Sequence, residues 1–164
     1  MLNVFVICTG NSCRSVMGEA LFNRLGQGRM RAFSAGSHPI GRINEGALAT
    51  LKRHGLPIDG YKSQSWGDFE DTTMDIVITV CDNAAGETCP VYLSKAVRAH
   101  WGVSDPSHVE GTEDEKIAAF EKTFEILTLR VQKMLLLPLE TMSPEELTSK
   151  LNAIGKLSMT QGEG

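Results

Sequence analysis

A cysteine and an arginine separated by five residues, Cys8 and Arg14, are the side chains of this sequence best suited to chemistry on an anion. They lie between an apolar, strand-like run (residues 3–7) and a helix-like run (residues 16–22). A strand-to-helix turn directs backbone N–H groups inward, and the helix N-terminus adds partial positive charge. Arg14 can donate two hydrogen bonds to two oxygens of a tetrahedral anion. The pattern predicts an oxyanion site with a nucleophilic cysteine at its base. The residues expected to bind the anion are Thr9, Gly10, Asn11, Ser12, Cys13, Arg14 and Ser15.

The same local field is expected to favour the thiolate of Cys8, which is the reactive form of that side chain. Gly10 and Asn11 suit a turn that needs a positive φ. Ser15 can cap the helix or hydrogen-bond the Cys8 sulfur. The alternative is a buried strand cysteine followed by a simple glycine turn. Because the spacing of Arg14 agrees with the turn residues, we favour the functional interpretation.

The sequence contains four cysteines, at positions 8, 13, 81 and 89. They form no Cys-x-x-Cys pair, and no histidine lies at zinc-finger spacing from them, which disfavours a structural zinc site. In a reducing compartment, cysteines are more often catalytic than structural. Cys81 follows a strand-like run and Cys89 follows a small, polar segment, so a redox pair is predicted. A buried strand-end cysteine is the alternative for Cys81.

Strand-like and helix-like segments alternate along the chain. Strands are predicted over residues 3–8, 30–35, 75–80 and 97–101. Helices are predicted over residues 15–25, between Asn44 and Gly55, from a capping box at Thr112 to Pro138, and over residues 143–155. This order predicts a parallel, doubly wound sheet, which binds ligands at the carboxyl ends of its strands. Cys8 and Cys81 each follow a strand, so neighbouring strands would bring both sulfurs to one crevice.

The overall composition fits one globular domain. The chain has 164 residues, 41% of them hydrophobic, and a net charge of -4, so no basic surface indicates nucleic-acid binding. The N-terminal apolar stretch lacks the preceding basic region of a secretory signal. The apolar run at Met134–Leu137 is too short to span a membrane. We therefore expect a cytoplasmic location, and a monomer is the simplest oligomeric state.

The residues described above resemble the arsenate reductases built on the low-molecular-weight protein tyrosine phosphatase fold. The resemblance includes the Cys8–Ser15 loop, the Ser34-Ala35-Gly36 segment, Thr79-Val80-Cys81 with Cys89-Pro90, and the run from His100 to Asp105-Pro106. It implies an α/β fold, a three-layer α/β/α sandwich around a four-stranded parallel sheet of order 2-1-3-4. It covers residues 1–138 as one domain. Residues 139–164 are then a C-terminal extension with a short helix and a frayed tail.

The resemblance also implies a mechanism with three thiols. Cys8 attacks arsenic, and Asp105 protonates the leaving oxygen. Cys81 then attacks Cys8 and arsenite leaves, after which Cys89 moves the disulfide to the Cys81–Cys89 pair. Thioredoxin is the expected reductant, with a glutathione–glutaredoxin route left open. Cys13 is expected to be structural, with a rival resolving thiol as the alternative. A simple turn residue is the alternative for Asp105.

Two other functions remain open at this stage. A phosphatase would use the same loop but would not need Cys81 or Cys89, and its general acid usually precedes Pro-Tyr, whereas Ser107 follows Pro106 here. A non-catalytic arsenite- or zinc-sensing cysteine cluster would explain the thiols but not Arg14. No tightly bound cofactor is expected. Some family members hold a potassium ion, and Asn11, Glu19 and Ser34 match its ligands by type. In the family an acidic ligand is expected near position 63, but this sequence has Ser65 there instead.

Overall fold

The computed structural model of the protein describes residues 1–81, 86 and 90–157. Four parallel strands form one sheet in the order β2-β1-β3-β4, which confirms the predicted topology. The strands are β1 (Leu2–Ile7), β2 (Met30–Ala35), β3 (Ile76–Thr79) and β4 (Val97–His100). Among the described residues the α-helices are α1 (Arg14–Leu25), α2 (Glu45–Arg53), α3 (Glu113–Leu135) and α4 (Pro144–Ile154), and short 3₁₀ turns occupy Trp66–Phe69, Val91–Leu93 and Pro106–His108. None of these helices is long and apolar enough to cross a membrane.

The two faces of the sheet are set by alternation along β1. Val6 faces helix α1, where Gly18 allows close packing, since a Cβ there would lie 3.0 Å from a Val6 methyl group. Phe5 is fully buried on the opposite face, and its ring lies 5.0 Å from that of Phe69. Because successive strand residues point to opposite faces, one apolar strand supplies both halves of the core.

The predicted caps start the helices. The Asn44 side chain accepts hydrogen bonds from Gly46 N and Ala47 N at the start of α2. Reciprocal capping boxes begin α3 at Thr112 and α4 at Ser143. Helix α3 ends at Leu135, before the predicted boundary at Pro138, because the next residues close a tighter turn and a residue that precedes proline disfavours the helical conformation.

The strand register brings the ends of β1 and β3 together. Ile7 pairs with Thr79, so the chain leaves both strands at the same edge of the sheet, and Val80 N donates to Ile7 O at 2.9 Å. Cys8 and Cys81 are therefore neighbours in space, although 73 positions separate them in the sequence. This is the arrangement that the parallel-sheet prediction required.

Helix α4 packs against β4, the edge strand of the sheet. Its side chains Leu147, Leu151 and Ile154 are buried. Asn152 Oδ1 accepts a hydrogen bond from the backbone N–H of His100 at 3.0 Å. The predicted tail beyond residue 157 lies outside the described residues.

Candidate active site

The loop between β1 and α1 is shaped by Asn11. This residue is fully buried and has a positive φ of 45°, which a short polar side chain tolerates better than most. Its Nδ2 donates to Ser15 Oγ (2.8 Å) and Ser34 Oγ (3.0 Å), and its Oδ1 accepts from Gln64 N (2.8 Å). Of the two positive φ values considered from the sequence, only that of Asn11 occurs; Gly10 does not need one.

The Cys8 and Cys81 thiols lie together at the base of the loop. Both side chains are buried, and neither sulfur is in a disulfide. The Cys81 thiol lies close enough to Cys8 to raise the pKa of Cys8 more than any other group does. The Cys81 sulfur also accepts a hydrogen bond from Thr9 N at 3.3 Å and lies 3.5 Å from Thr9 Oγ1. Hence the backbone amide directly after Cys8 holds the Cys81 sulfur in place.

The expectation of a thiolate at Cys8 is wrong for this state of the protein. Its contact with Cys81 raises the pKa of Cys8 most, and burial raises it further, while the Arg14 charge and the Gly10 N–H only partly oppose them. A thiol that faces another thiol in a buried site is stabilised in its protonated form. The pKa of Cys8 therefore lies well above its ordinary value, and the charge of Arg14 alone does not reverse this.

Arg14 is directed to the loop that follows β4. Its Nη1 donates to Val103 O at 2.9 Å, and its Nη2 lies 3.4 Å from Asp105 Oδ2. Its Nε is buried and has no hydrogen-bond partner among the described residues. Leaving a buried donor unpaired costs on the order of 1–3 kcal/mol, so this N–H is well placed to gain from an oxyanion acceptor.

Asp105 is a carboxylate in this state. Burial alone would raise its pKa, but hydrogen bonds from Ser107 and the charges of Arg14 and His108 outweigh burial and hold the pKa below its ordinary value. Its Oδ1 accepts from Ser107 N at 2.9 Å and from Ser107 Oγ at 2.6 Å. Asp105 therefore caps the turn at Pro106–His108 and also faces Arg14. The same residue is thus both a turn residue and a neighbour of the site.

Cys13 lies beneath the loop, at the N-terminus of α1. Burial raises the pKa of its thiol to about 12, with a further contribution from the nearby Asp105 charge. It is therefore a neutral, buried side chain, as a structural role requires.

The predicted potassium ligands are close together, but their oxygens do not converge. Ser34 Oγ donates to Glu19 Oε1 at 2.5 Å, while Asn11 presents its Nδ2 donor to Ser34 and uses its oxygen for Gln64 N. Ser65 Oγ accepts from Gly67 N. Only two side-chain oxygens, on Glu19 and Ser34, face each other, so these residues do not fit the ion in this arrangement. Burial raises the pKa of Glu19 to about 6 despite the Ser34 hydrogen bond.

Several residues that support the loop were not identified as loop contacts from the sequence. Ser63 Oγ donates to Gly10 O at 3.0 Å, and the carbonyl of Val103 holds Arg14. Gly36 approaches the loop so closely that a Cβ there would lie 2.3 Å from Thr9 O. The Ser34-Ala35-Gly36 motif was the only sign of this approach.

Cys89 lies outside the described residues, as does the expected polar segment before it except Gly86. In the part of the chain that is described, no group of three or more His, Cys, Asp or Glu side chains is arranged to hold a metal ion. The described site therefore combines two adjacent thiols, the backbone N–H groups of Thr9 and Gly10 that face them, one arginine and one carboxylate. Such a set can bind a tetrahedral oxyanion, attack it with sulfur and form a disulfide.

Comparison with known proteins agrees with this geometry. The family model described as low molecular weight phosphotyrosine protein phosphatase matches residues 3–151. An arsenate reductase of Halalkalibacterium halodurans is 33% identical over 129 residues, which cover 79% of this chain and 91% of that relative. An arsenate reductase of Bacillus subtilis is 34% identical over 119 residues, or 73% of this chain and 84% of the relative.

Solved structures show the same likeness. A structure described as an arsenate reductase in reduced state is 25% identical, with a TM-score of 0.68 over 83% of this chain and 98% of the other. The arsenate reductase of Archaeoglobus fulgidus is 28% identical, with a TM-score of 0.60 over 79% of this chain and 98% of the other. With the family model matched from the first strand into α4, this chain belongs to the low molecular weight phosphotyrosine protein phosphatase family.

Proposed function

We propose that this protein reduces arsenate to arsenite with its own cysteine thiols, beginning at Cys8. The observation that carries the proposal is the contact between the Cys8 and Cys81 sulfurs at the base of an oxyanion-binding loop. A phosphate-ester hydrolase has no use for a second thiol at that point, whereas a reductase needs one. The curated relatives named arsenate reductase, which match along most of the chain, support the same activity.

In the first step, sulfur replaces one oxygen on arsenic. The anion accepts hydrogen bonds from the loop amides and from Arg14, which turns away from Val103 O and Asp105 to meet it. The ionised Asp105 takes the proton of the Cys8 thiol and passes it to the departing oxygen. A sulfur–arsenic bond forms, an arsenic–oxygen bond breaks, and the oxygen leaves as water.

In the second step, Cys81 attacks the Cys8 sulfur. A sulfur–sulfur bond forms, the sulfur–arsenic bond breaks, and its electron pair stays on arsenic, which leaves as arsenite. Arsenic is thereby reduced by two electrons while the two sulfurs are oxidised. The hydrogen bond from Thr9 N to the Cys81 sulfur stabilises the attacking thiolate in position.

In the third step, Cys89 attacks Cys81 and releases Cys8 as a thiol, which leaves a Cys81–Cys89 disulfide. A dithiol protein of the thioredoxin type then reduces that disulfide by exchange. A glutathione–glutaredoxin system is the alternative reductant. The cycle requires a reducing compartment, so we place the protein in the cytoplasm, as a monomer.

The test is arsenate-dependent NADPH oxidation with thioredoxin and thioredoxin reductase. Wild type should turn over, and Cys8→Ser, Cys81→Ser and Cys89→Ser should each fall to background. A single-turnover experiment without reductant assigns the order of the thiols. Cys89→Ser should release one arsenite per chain and accumulate a Cys8–Cys81 disulfide, while Cys81→Ser should release none.

Two other results would change the proposal. Turnover only with glutathione and glutaredoxin would keep the reductase and replace its partner. No turnover with either system, together with hydrolysis of an aryl phosphate that is lost in Cys8→Ser and kept in Cys81→Ser, would show a phosphatase instead.

A further inference from the structure

The segment that carries Asp105 is held by contacts with the sheet, with α1 and with the C-terminal helix α4. It begins at Trp101, whose ring is fully buried against Phe22 of α1 and whose Nε1 donates to Leu151 O of α4 at 2.8 Å. Val103 N donates to Val80 O, next to Cys81. We call residues 101–105 the acid loop. Its conformation depends on both the sheet and the C-terminal helix.

Arg130 of α3 joins the acid loop to the end of the C-terminal segment. Its side chain is only 4% exposed. Its Nη1 donates to Trp101 O (2.8 Å) and Gly102 O (3.2 Å), and its Nε donates to Leu157 O (2.9 Å). One guanidinium therefore holds three carbonyls, two from the acid loop and one from the segment after α4.

This cation has no carboxylate partner among the described residues, and burial lowers the pKa of Arg130 to about 10. A buried charge held only by carbonyls is costly, and an apolar side chain of similar volume is often the more stable choice. A gain in folding stability therefore does not explain why an arginine occupies position 130. The planar, rigid array of donors offers another reason, since it fixes the carbonyls relative to one another.

The acid loop carries both partners of Arg14. Val103 O and Asp105 hold the Arg14 guanidinium, and they follow directly on the two carbonyls that Arg130 holds. A continuous set of contacts therefore runs from Leu157 through Arg130 and the acid loop to Arg14. Asp105 is therefore linked to Arg130 through residues 101–104 of the same loop.

We infer that Arg130 is a positioning residue for the reaction at Cys8, and that the C-terminal segment (residues 139–157) acts on the active site through it. The inference rests on the proposed function for its kinetic readout only. The hydrogen bonds of Arg130 among the described residues go to Trp101, Gly102 and Leu157 and none goes to the Cys8–Ser15 loop, so Arg130 affects how Asp105 and Arg14 meet the reacting oxygen more than how the loop amides bind the anion.

The first test is Arg130→Lys, which keeps the charge but cannot hold three carbonyls at once. We expect kcat for arsenate to fall about tenfold, or ~1.4 kcal/mol, with KM changed less than about threefold. The matched control is Arg29→Lys. Arg29 likewise holds carbonyls and the C-terminal segment, through Leu135 O, Leu137 O and Glu140, but it does not contact the acid loop. The Arg29→Lys variant should be less stable to urea than wild type and should keep the wild-type kcat.

A double-variant cycle separates positioning from general loss of structure. In an Asp105→Asn background, Arg130→Lys should lower kcat by less than about twofold, because the group that it positions is already disabled. Arg130→Met gives a second variant of similar volume, assayed where urea unfolding shows it to be folded, and it should be as slow as Arg130→Lys. An equal loss of kcat in Arg29→Lys, or an undiminished effect of Arg130→Lys in the Asp105→Asn background, would overturn the inference.

A readout independent of arsenate turnover distinguishes failure of the inference from failure of the proposed function. Iodoacetamide alkylation of Cys8, followed by peptide mass spectrometry against pH, reports how Arg14 faces the thiol. The pH midpoint should shift in Arg130→Lys and stay at the wild-type value in Arg29→Lys. Wild type without turnover would overturn the proposed function alone, and an unshifted midpoint in Arg130→Lys would then overturn the inference.

Discussion

The Cys81 sulfur accepts a hydrogen bond from the backbone N–H of Thr9, the residue directly after Cys8, at 3.3 Å. This hydrogen bond holds the Cys81 sulfur beside the residue that follows Cys8. The two thiols are therefore placed where a disulfide between them can form without a large movement of either strand end. The proximity of Cys81 also favours the protonated form of Cys8, because a thiol is a poor stabiliser of a neighbouring negative charge. Attack on an anion therefore requires a group that takes the Cys8 proton, a role that the proposed mechanism gives to Asp105.

Removing Cys81 should make Cys8 more acidic. Contact with the Cys81 thiol is the largest cause of the raised pKa of Cys8, so Cys81→Ala should lower it. Iodoacetamide alkylation of Cys8 at pH 7.5 should rise at least about tenfold, the change that one pKa unit produces. Cys13→Ala removes a buried thiol that does not set this pKa and should leave the rate unchanged. An unchanged rate in Cys81→Ala would argue against the thiol contact.

Replacing Asp105 should slow the chemistry and alter the pH dependence of stability. Asp105→Asn should lower kcat on the order of 10²- to 10⁴-fold, the usual contribution of a proton-transfer group. The pKa of Asp105 is held below its ordinary value, so its stabilisation of the fold is present at neutral pH and is lost as the pH falls through the folded-state pKa. Urea unfolding should therefore show Asp105→Asn less stable than wild type at pH 7, with the difference shrinking as the pH falls below the ordinary aspartate pKa of 3.8 toward the lower folded-state pKa.

The control for Asp105 is Glu140→Gln. Glu140 is also a carboxylate paired with an arginine, Arg29, but it is exposed and remote from the loop. It should keep the wild-type kcat. A similar kcat in Asp105→Asn and Glu140→Gln would remove Asp105 from the mechanism.

Neutralising Glu19 should stabilise the protein above neutral pH. Burial raises the pKa of Glu19 from 4.5 to about 6, so the folded state binds this proton more tightly than the unfolded state. Stability therefore declines as the pH rises through this range and stays lower above it. Glu19→Gln, which can still accept from Ser34, should be more stable than wild type at pH 8 by at most about 2 kcal/mol, and equal to it at pH 4. Urea unfolding in sodium buffers at both pH values measures the difference.

Potassium offers a second measurement at the same residue. Because the oxygens of Asn11, Glu19 and Ser34 do not converge, the wild-type Tm at pH 8 should be equal in potassium and in sodium. A higher wild-type Tm in potassium that Glu19→Gln abolishes would show instead that an ion binds at Glu19.

A methyl group at Gly36 should displace the loop. A Cβ there would lie 2.3 Å from Thr9 O and 2.7 Å from Cys8 O, which backbone atoms cannot accommodate without moving. Gly36→Ala should therefore weaken binding of inorganic phosphate, measured by calorimetry, by at least about tenfold, a loss of ~1.4 kcal/mol. At Gly67 the nearest atom would be 3.5 Å away, so Gly67→Ala serves as the control and should bind as wild type does. Equal affinities in the two variants would show that the close approach is not needed.

Local patterns in the sequence were sufficient to predict the helices and strands of the fold and the Cys8–Arg14 part of the site. Strand periodicity, the Asn44, Thr112 and Ser143 caps and the Cys8-to-Arg14 spacing each depend on residues a few positions apart, so they can be read before folding. The meeting of Cys8 with Cys81 was also predictable, because the carboxyl ends of neighbouring parallel strands open at one edge of a sheet.

Tertiary structure alone decided the electrostatics and the support of the site. Arg14 reaches Val103 O across 89 positions of sequence, and Arg130 holds carbonyls 27 to 29 positions away. The direction of the Cys8 pKa shift follows from the proximity of Cys81, which is 73 positions away in the sequence, and from burial. A short motif specifies which groups can react, whereas their protonation and orientation depend on what the rest of the chain packs against them.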